Sequence, residues 1–382
     1  MRPRWRLLTA LLAGMLATIL LGACSGGGKS TRADEPTRSP NPTAGSVSYA
    51  AELGGLDKLV AAAKHEGALN VIGLPAEWAN YGELLTRFEA KYGIAVQSGE
   101  PQASSRQALA AATRLRGTSS APDVFDLSAS EAAASLTRFA AYKVTTWGDI
   151  PNAAKESSGR YIGGYGGVMS IGYDAKRVPA PRSVADLLKP AYRGKVALNG
   201  DPTRANAAFF AVVMAALGNG GSAEVIGPGV DFFARLRQDG NLTTSTPTVP
   251  TITDGQTPLV VDWDYANVQR ATALPRAVDW QVVIPQPAAV GSYSVQAISV
   301  DAPHPAAARL WQEFLYSDEG QNLWLRSAVR PVRLEAMQRS GTVDTVAYGL
   351  LPPLPRSPVL PTPEQVATSK ADLAAKWAAA FG

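Results

Sequence analysis

Short apolar runs alternate with helical stripes along most of this chain, and that alternation constrains the fold more than any other feature. Leu53, Leu56, Val60 and Ala63 recur at helical spacing, and Gly67 punctuates their end. Ala68 to Gly73 then reads as a short buried strand. Tyr81, Leu84, Leu85, Phe88 and Tyr92 form the next stripe, stopped by Gly93, and Ile94–Gln97 and Asp123–Leu127 read as two more strands. The second half repeats the logic. Strands are expected at Lys195–Leu198, Pro258–Asp262, Trp280–Pro285 and Ser294–Val300. Helices are expected at Ala205–Leu217, at Val230–Gln238, and from Pro305 to near Ser317. A proline-rich strap, Leu351–Pro363, precedes a last helix ending in Trp377. Strands interleaved with helices in this way predict an α/β fold with a parallel sheet and helices on both faces. The 382 residues suffice for two domains, and a 46% hydrophobic content supplies ordinary cores.

The N-terminus carries an address. Arg2, Arg4 and Arg6 precede an apolar run, Leu7–Leu20, then Leu21-Gly22-Ala23-Cys24. The run is shorter than the roughly 20 residues a membrane helix needs, and its flanks are those of a secretory signal, residues 1–23. Leu-Gly-Ala-Cys also resembles the bacterial lipobox, which implies cleavage before Cys24 and a lipid on its sulfur; the other reading is an uncleaved anchor with an incidental thiol. Cys24 is the only cysteine, so no disulfide framework exists. Residues 24–48 hold little that is apolar and read as a tether, with order beginning near Tyr49. Loss of the three leader arginines takes the formal charge from +4 to +1. No like-charge run or basic aromatic stripe points to nucleic acid. His65 and His304 are the only histidines. They are too few for metal or acid–base chemistry, no Gly-x-Ser-x-Gly elbow is present, and no enzyme activity or cofactor is expected.

Four stretches, in order, are similar to the extracellular solute-binding proteins of bacterial ABC importers, of the two-lobed type that includes polyamine, ferric-iron and phosphonate binders. They are "AKHEG…LNVIG…WANYGELLTRFEAKYGIAV" near Leu59–Val96, "LLKPAYRGKVALNGDPTRANAAFF" (Leu187–Phe210), "DGQTPLVVDWDY" (Asp254–Tyr265) and "VQAISVDAPHPAAARLWQEFLYSDEGQNLWL" (Val295–Leu325). The resemblance spans roughly Leu53 to Arg333. It implies a type II periplasmic-binding-protein fold, with a hinge of crossing strands and a ligand cleft between the lobes. Lobe one would take residues 49–167 and 293–382, and lobe two 168–292. It further implies a lipid-anchored, monomeric protein on the outer face of the cell membrane that hands a small solute to a permease and ATPase. Gly163-Gly-Tyr-Gly-Gly167 is expected either at one crossover, where backbone must approach ligand closely, or in a loop needing positive φ. The return crossover is expected between Ile284 and Val295.

The candidate ligand residues follow from position and chemistry. Trp78 and Tyr81 sit in a turn after a strand, and the same pair resembles the polyamine binders. An aromatic face attracts an ammonium by about 0.5–2 kcal/mol, although Tyr81 also lies on a core stripe. Asp262-Trp263-Asp264-Tyr265 ends a buried strand. Carboxylates flanking tryptophan suit an ammonium. Alternation places Asp262 and Asp264 on one face unless the strand has already turned, with Trp263 and Asp264 favoured and a helix-capping aspartate as the other reading. Trp263→Ala is expected to weaken binding with little loss of fold. Asp201, Thr203, Arg204 and Asn206 precede an apolar helix, where free N–H groups form either an anion site or a solvated cap. Tyr293, beside the return crossover, completes the set. Arg204, Ser294 and Arg330 fall near positions where the polyamine binders carry acids or tyrosine. Those departures point away from a pure polycation and allow a zwitterion. The solute is read as polyamine-like or otherwise aminated; the alternatives are an anionic or zwitterionic one, or a sensor role without transport. Ferric binders use consecutive tyrosines, and this chain has none.

Overall fold

The computed structural model of the chain describes residues 43–354 and 358–382; the signal segment, Cys24 and most of the tether lie outside them. Ten strands form the sheet: β1 (Ala68–Ile72), β2 (Ala95–Gly99), β3 (Val124–Ser128), β4 (Phe139–Ala140), β5 (Ile162–Asp174), β6 (Val196–Leu198), β7 (Leu259–Trp263), β8 (Trp280–Val283), β9 (Gly291–Ser299) and β10 (Arg330–Pro331). The helices of the first half are α1 (Leu56–Glu66), α2 (Tyr81–Tyr92), α3 (Ser105–Arg114) and α4 (Ala129–Ala133). Those of the middle are α5 (Asn206–Gly218), α6 (Gly227–Gln238), α7 (Val249–Thr253) and α8 (Asp264–Ala273). The chain ends with α9 (Pro305–Leu315), α10 (Asp318–Leu325), α11 (Leu334–Ser340), α12 (Thr345–Tyr348) and α13 (Pro363–Phe381).

Local signals set these boundaries. Gly67 and Gly93 end α1 and α2 in the left-handed conformation, each donating its N–H to the carbonyl four residues back. The α5 segment is apolar all round because it is enclosed; Ala208 through Ala216 are all buried. Each Phe or Leu so enclosed contributes about 1.5–3 kcal/mol of transfer free energy.

The sheet is mixed, not parallel. β1 pairs β2 and β3 in parallel, and β6 pairs β7 in parallel. β9 runs antiparallel to both β3 and β5, and β5 runs antiparallel to β7 and β8. The expected parallel sheet is corrected by these returning strands. β5 is long enough to serve two halves: Ile162–Val168 pairs β9 in one, and Met169–Asp174 pairs β7 and β8 in the other. The chain returns through residues 284–290, between β8 and β9.

The folded body begins before Tyr49. Val47 is buried, and the enclosed Arg309 of α9 explains why. Its guanidinium donates to the carbonyls of Val47, Gly45 and Pro305, each at 3.0 Å. At the other end, α13 lies on α6, with Trp377 against Phe233 and the Ser369 hydroxyl donating to Ala223 O.

Candidate functional site

A cavity of about 550 Å³ opens between the two halves of the sheet. Its walls are the C-terminal ends of β1, β3, β6 and β7, the middle of β5 and the start of β9. That edge of an α/β sheet is where ligands bind, because strand ends and helix starts leave side chains and N–H groups free to converge. Trp78 and Asp126 reach it from one half, and Asp262, Trp263 and Tyr265 from the other.

Asp126 is the centre of the polar wall. Its Oδ2 accepts hydrogen bonds from the Tyr81 hydroxyl at 2.5 Å and the Tyr165 hydroxyl at 2.9 Å. Tyr165 in turn accepts the Trp78 indole N–H at 2.7 Å, and Tyr81 accepts Gln296 Nε2 at 2.9 Å. Burial pushes the Asp126 carboxyl above the usual carboxylate range, against the pull of its hydrogen bonds from Tyr81, Ser294, Tyr165 and Gln296. Among the described residues no basic side chain pairs with it, and no Lys, Arg or His lines this cavity.

The two aspartates of the Asp262–Tyr265 segment are already neutralised. Asp262 accepts from Arg270 Nη2 at 2.6 Å and Asn199 Nδ2 at 2.8 Å. Asn267 and Ser170 brace that pair from behind. Asp264 accepts from Arg330 Nε at 3.0 Å and from the N–H groups of Val168 and Tyr265. Desolvation raises both carboxyls, and the neighbouring guanidinium opposes it in each case.

Three aromatic rings close the other walls. Trp263 and Tyr265 stack with planes 6° apart, and the Trp78 ring stands nearly perpendicular to that of Tyr265, at 89° with centroids 5.4 Å apart. Trp78 is presented by a strained turn: Ala79 and Asn80 have φ of 47° and 62°. The Asn80 side chain holds it by donating to Leu323 O at 2.8 Å.

Of the sequence-predicted residues, the structure brings Trp78, Asn206, Trp263, Tyr265 and Tyr293 to the cavity. Tyr81 is fully buried and reaches the site only through its hydroxyl on Asp126. Asp264 is turned away from the cavity, because α8 begins there and strand alternation stops. Asp201 closes its own turn on Thr203, whose N–H and hydroxyl it accepts at 2.8 Å. Thr203 and Arg204 face a neighbouring cavity. Trp263 is only 6% exposed and packs on Phe210. Truncating it removes core, at about 3–5 kcal/mol, so the expectation that Trp263→Ala spares the fold is corrected.

Asp126, Tyr165 and Asn199 were missed. A polar residue in the apolar run "DVFDL" is the signal that marks Asp126. The glycines around Tyr165 take extended, not positive-φ, conformations, so the loop reading is corrected; what approaches them closely is Trp324, Tyr293 and Tyr265. An added Cβ on Gly167 would lie 2.5 Å from Tyr265 Cε1. Gly167→Ala is therefore expected to displace the Tyr265 ring, costing about 1–3 kcal/mol in urea denaturation and weakening solute binding in calorimetry. Wild-type affinity in that variant would show that the ring is not part of the wall.

Among the described residues, no cluster of three or more His, Cys, Asp and Glu is placed to hold a metal. No described helix is long and apolar enough to cross a membrane. Known folds match well. The periplasmic binding protein P5PA superposes with a TM-score of 0.62 at 16% identity, over 83% of this chain and 100% of that one. AfuA from Actinobacillus pleuropneumoniae, bound to fructose-6-phosphate, gives 0.63 at 16% identity over 82% and 97%. Iron-bound HitA from Pseudomonas aeruginosa gives 0.58 at 18% over 82% and 99%. These likenesses establish a two-lobed periplasmic-binding-protein fold. No curated protein sequence matches the chain significantly. The sequence profile of one family does match, across residues 118–345, more than half of the chain. Its members capture solutes and are not enzymes, and the chain belongs to this family, the bacterial extracellular solute-binding proteins.

Proposed function

We propose that this protein captures a small solute bearing an ammonium group and delivers it to an ABC importer, from a lipid anchor at Cys24. One observation carries the solute class: Asp126 is a carboxylate without a basic partner among the described residues, in an aromatic-walled cavity that holds no cation of its own. An ammonium there gains a charge-assisted hydrogen bond and ring faces at once. Lobe one takes residues 49–167 and 293–382 and lobe two takes 168–292, with the C-terminal helix of lobe one touching α6 of lobe two as well as α4. A solute touching both lobes favours the closed form. The importer link draws support from the family and from a structural neighbour that is itself described as an ABC transporter from Clostridium perfringens.

Titration with n-butylamine and n-butanol tests the ammonium requirement. The amine is expected to bind measurably and raise the melting temperature by mass action, and the alcohol to do neither. Binding needs ionised Asp126, whose carboxyl lies above the usual value of ~3.9. Amine affinity should accordingly start to fall, as pH drops from neutrality, before an ordinary carboxylate would protonate. Equal binding of amine and alcohol at neutral pH would overturn the reading.

A further inference from the structure

The Asp126 cavity adjoins a second one, of about 810 Å³. Ser104, Ser105, Ser128, Ala205 and Asn206 line both, so the two lie side by side along that shared wall. The electrostatic character reverses between them. The first holds carboxylates and no base, while the second holds Arg106, Arg204 and Lys370 against a single carboxylate, Glu131. Glu131 is engaged by Arg106 at 3.0 Å, and that arginine is largely exposed.

Lys370 differs from the two arginines. It projects from α13, an element far along the chain from the other walls, and is half-buried. Its Nζ lies 5.3 Å from the centroid of the Phe209 ring, and no acceptor bonds it among the described residues. Burial lowers its pKa, with Glu131 opposing and Arg106 adding to that effect. A partly desolvated ammonium without an acceptor is unfavourable until an anion reaches it. The first turn of α5 faces the same space, and its N-cap position, Ala205, supplies no side-chain acceptor. The N–H groups there add donors to those of Lys370.

We infer that the solute is a zwitterion whose ammonium sits at Asp126 and whose carboxylate or phosphonate end is taken by Lys370 of the C-terminal helix. This rests on the ammonium reading above. It adds a selectivity that reading lacks: a diamine would place its second charge beside Lys370, and like charges repel. The C-terminal helix thereby becomes part of the binding site.

Isothermal titration of the wild type, Lys370→Gln, Lys370→Arg and Asp126→Asn with five probes tests this. The probes are n-butylamine, 1,4-diaminobutane, 4-aminobutyrate, 3-aminopropylphosphonate and propylphosphonate. Both zwitterions should bind about tenfold or more tighter than butylamine, and the diamine no tighter. The better of the two zwitterions identifies the anionic group. Lys370→Gln should remove the zwitterion advantage, with butylamine affinity retained and the melting temperature of the free protein equal to or above that of the wild type, and Lys370→Arg should retain the advantage. Zwitterions that bind no tighter than butylamine, or that keep full affinity in Lys370→Gln, overturn the inference and leave the ammonium reading intact. Propylphosphonate binding that Lys370→Gln abolishes, with every probe indifferent to Asp126→Asn, overturns the ammonium reading and keeps the lysine's role.

Discussion

Asp126→Asn is expected to weaken binding of a primary amine by ~30-fold or more without destabilising the free protein. Removing one partner of a desolvated charge pair costs about 2–5 kcal/mol, which is roughly 30-fold to several-thousand-fold in affinity. The asparagine is the same size and still offers one acceptor to the Tyr81 and Tyr165 hydroxyls that now converge on Oδ2. The stability effect has the opposite sign to the binding effect. The folded-state carboxyl is raised above its unfolded value, so its ionised form opposes folding at every pH above that raised value. The neutral amide removes this penalty, and the melting temperature of the unliganded variant should equal or exceed that of the wild type. Calorimetry and thermal unfolding on the same preparations check both. An unchanged amine affinity would place the ammonium elsewhere in the cleft.

A clear stability loss is also expected at a residue remote from the cleft. Arg309 is 2% exposed, and its charge is satisfied by carbonyl oxygens at Gly45, Val47 and Pro305 and by the Tyr142 ring at 5.6 Å. Arg309→Met keeps most of the side-chain volume but removes the donor to the buried Val47 carbonyl, while Gly45 O and Pro305 O are open to water or to the α9 backbone. A buried acceptor left unsatisfied costs about 1–3 kcal/mol, and a loss of about that size is expected. Urea denaturation should show a lower midpoint at unchanged slope. Amide exchange at residues 43–48 should accelerate before that of β1 or β9. A loss below ~1 kcal/mol would mean that the segment is held by Val47 packing alone.

Much of the fold was legible because its elements obey simple periodicities. The stripe from Tyr81 to Tyr92, the glycines that end α1 and α2, and the enclosed α5 all stand where spacing and composition put them. Strand direction was not legible, because an apolar run such as Ser294–Val300 reads the same whichever way its neighbour points. The length of β5 was hidden by its glycines, which read equally well as a positive-φ loop and instead lie in an extended strand that makes room for Tyr265, Tyr293 and Trp324. At the site, Trp78 and Tyr265 were found from their place beside strand ends. Asp126 was passed over because a single acid inside an apolar strand looks like a surface residue until the tyrosines around it are placed. Asp264 drew attention for its chemistry, yet its partner Arg330 lies 66 residues away along the chain and no local pattern announces that pair.

β5 belongs to both halves of the sheet without an intervening loop, and it carries Tyr165 of the Asp126 network only four residues before Met169, which pairs β7. Rotation of one half against the other must therefore be absorbed as torsion of a hydrogen-bonded ribbon instead of as swivelling about a slack joint. A turn of one half against the other would therefore carry the backbone of Tyr165 and that of Met169, paired to Trp263, along one continuous strand.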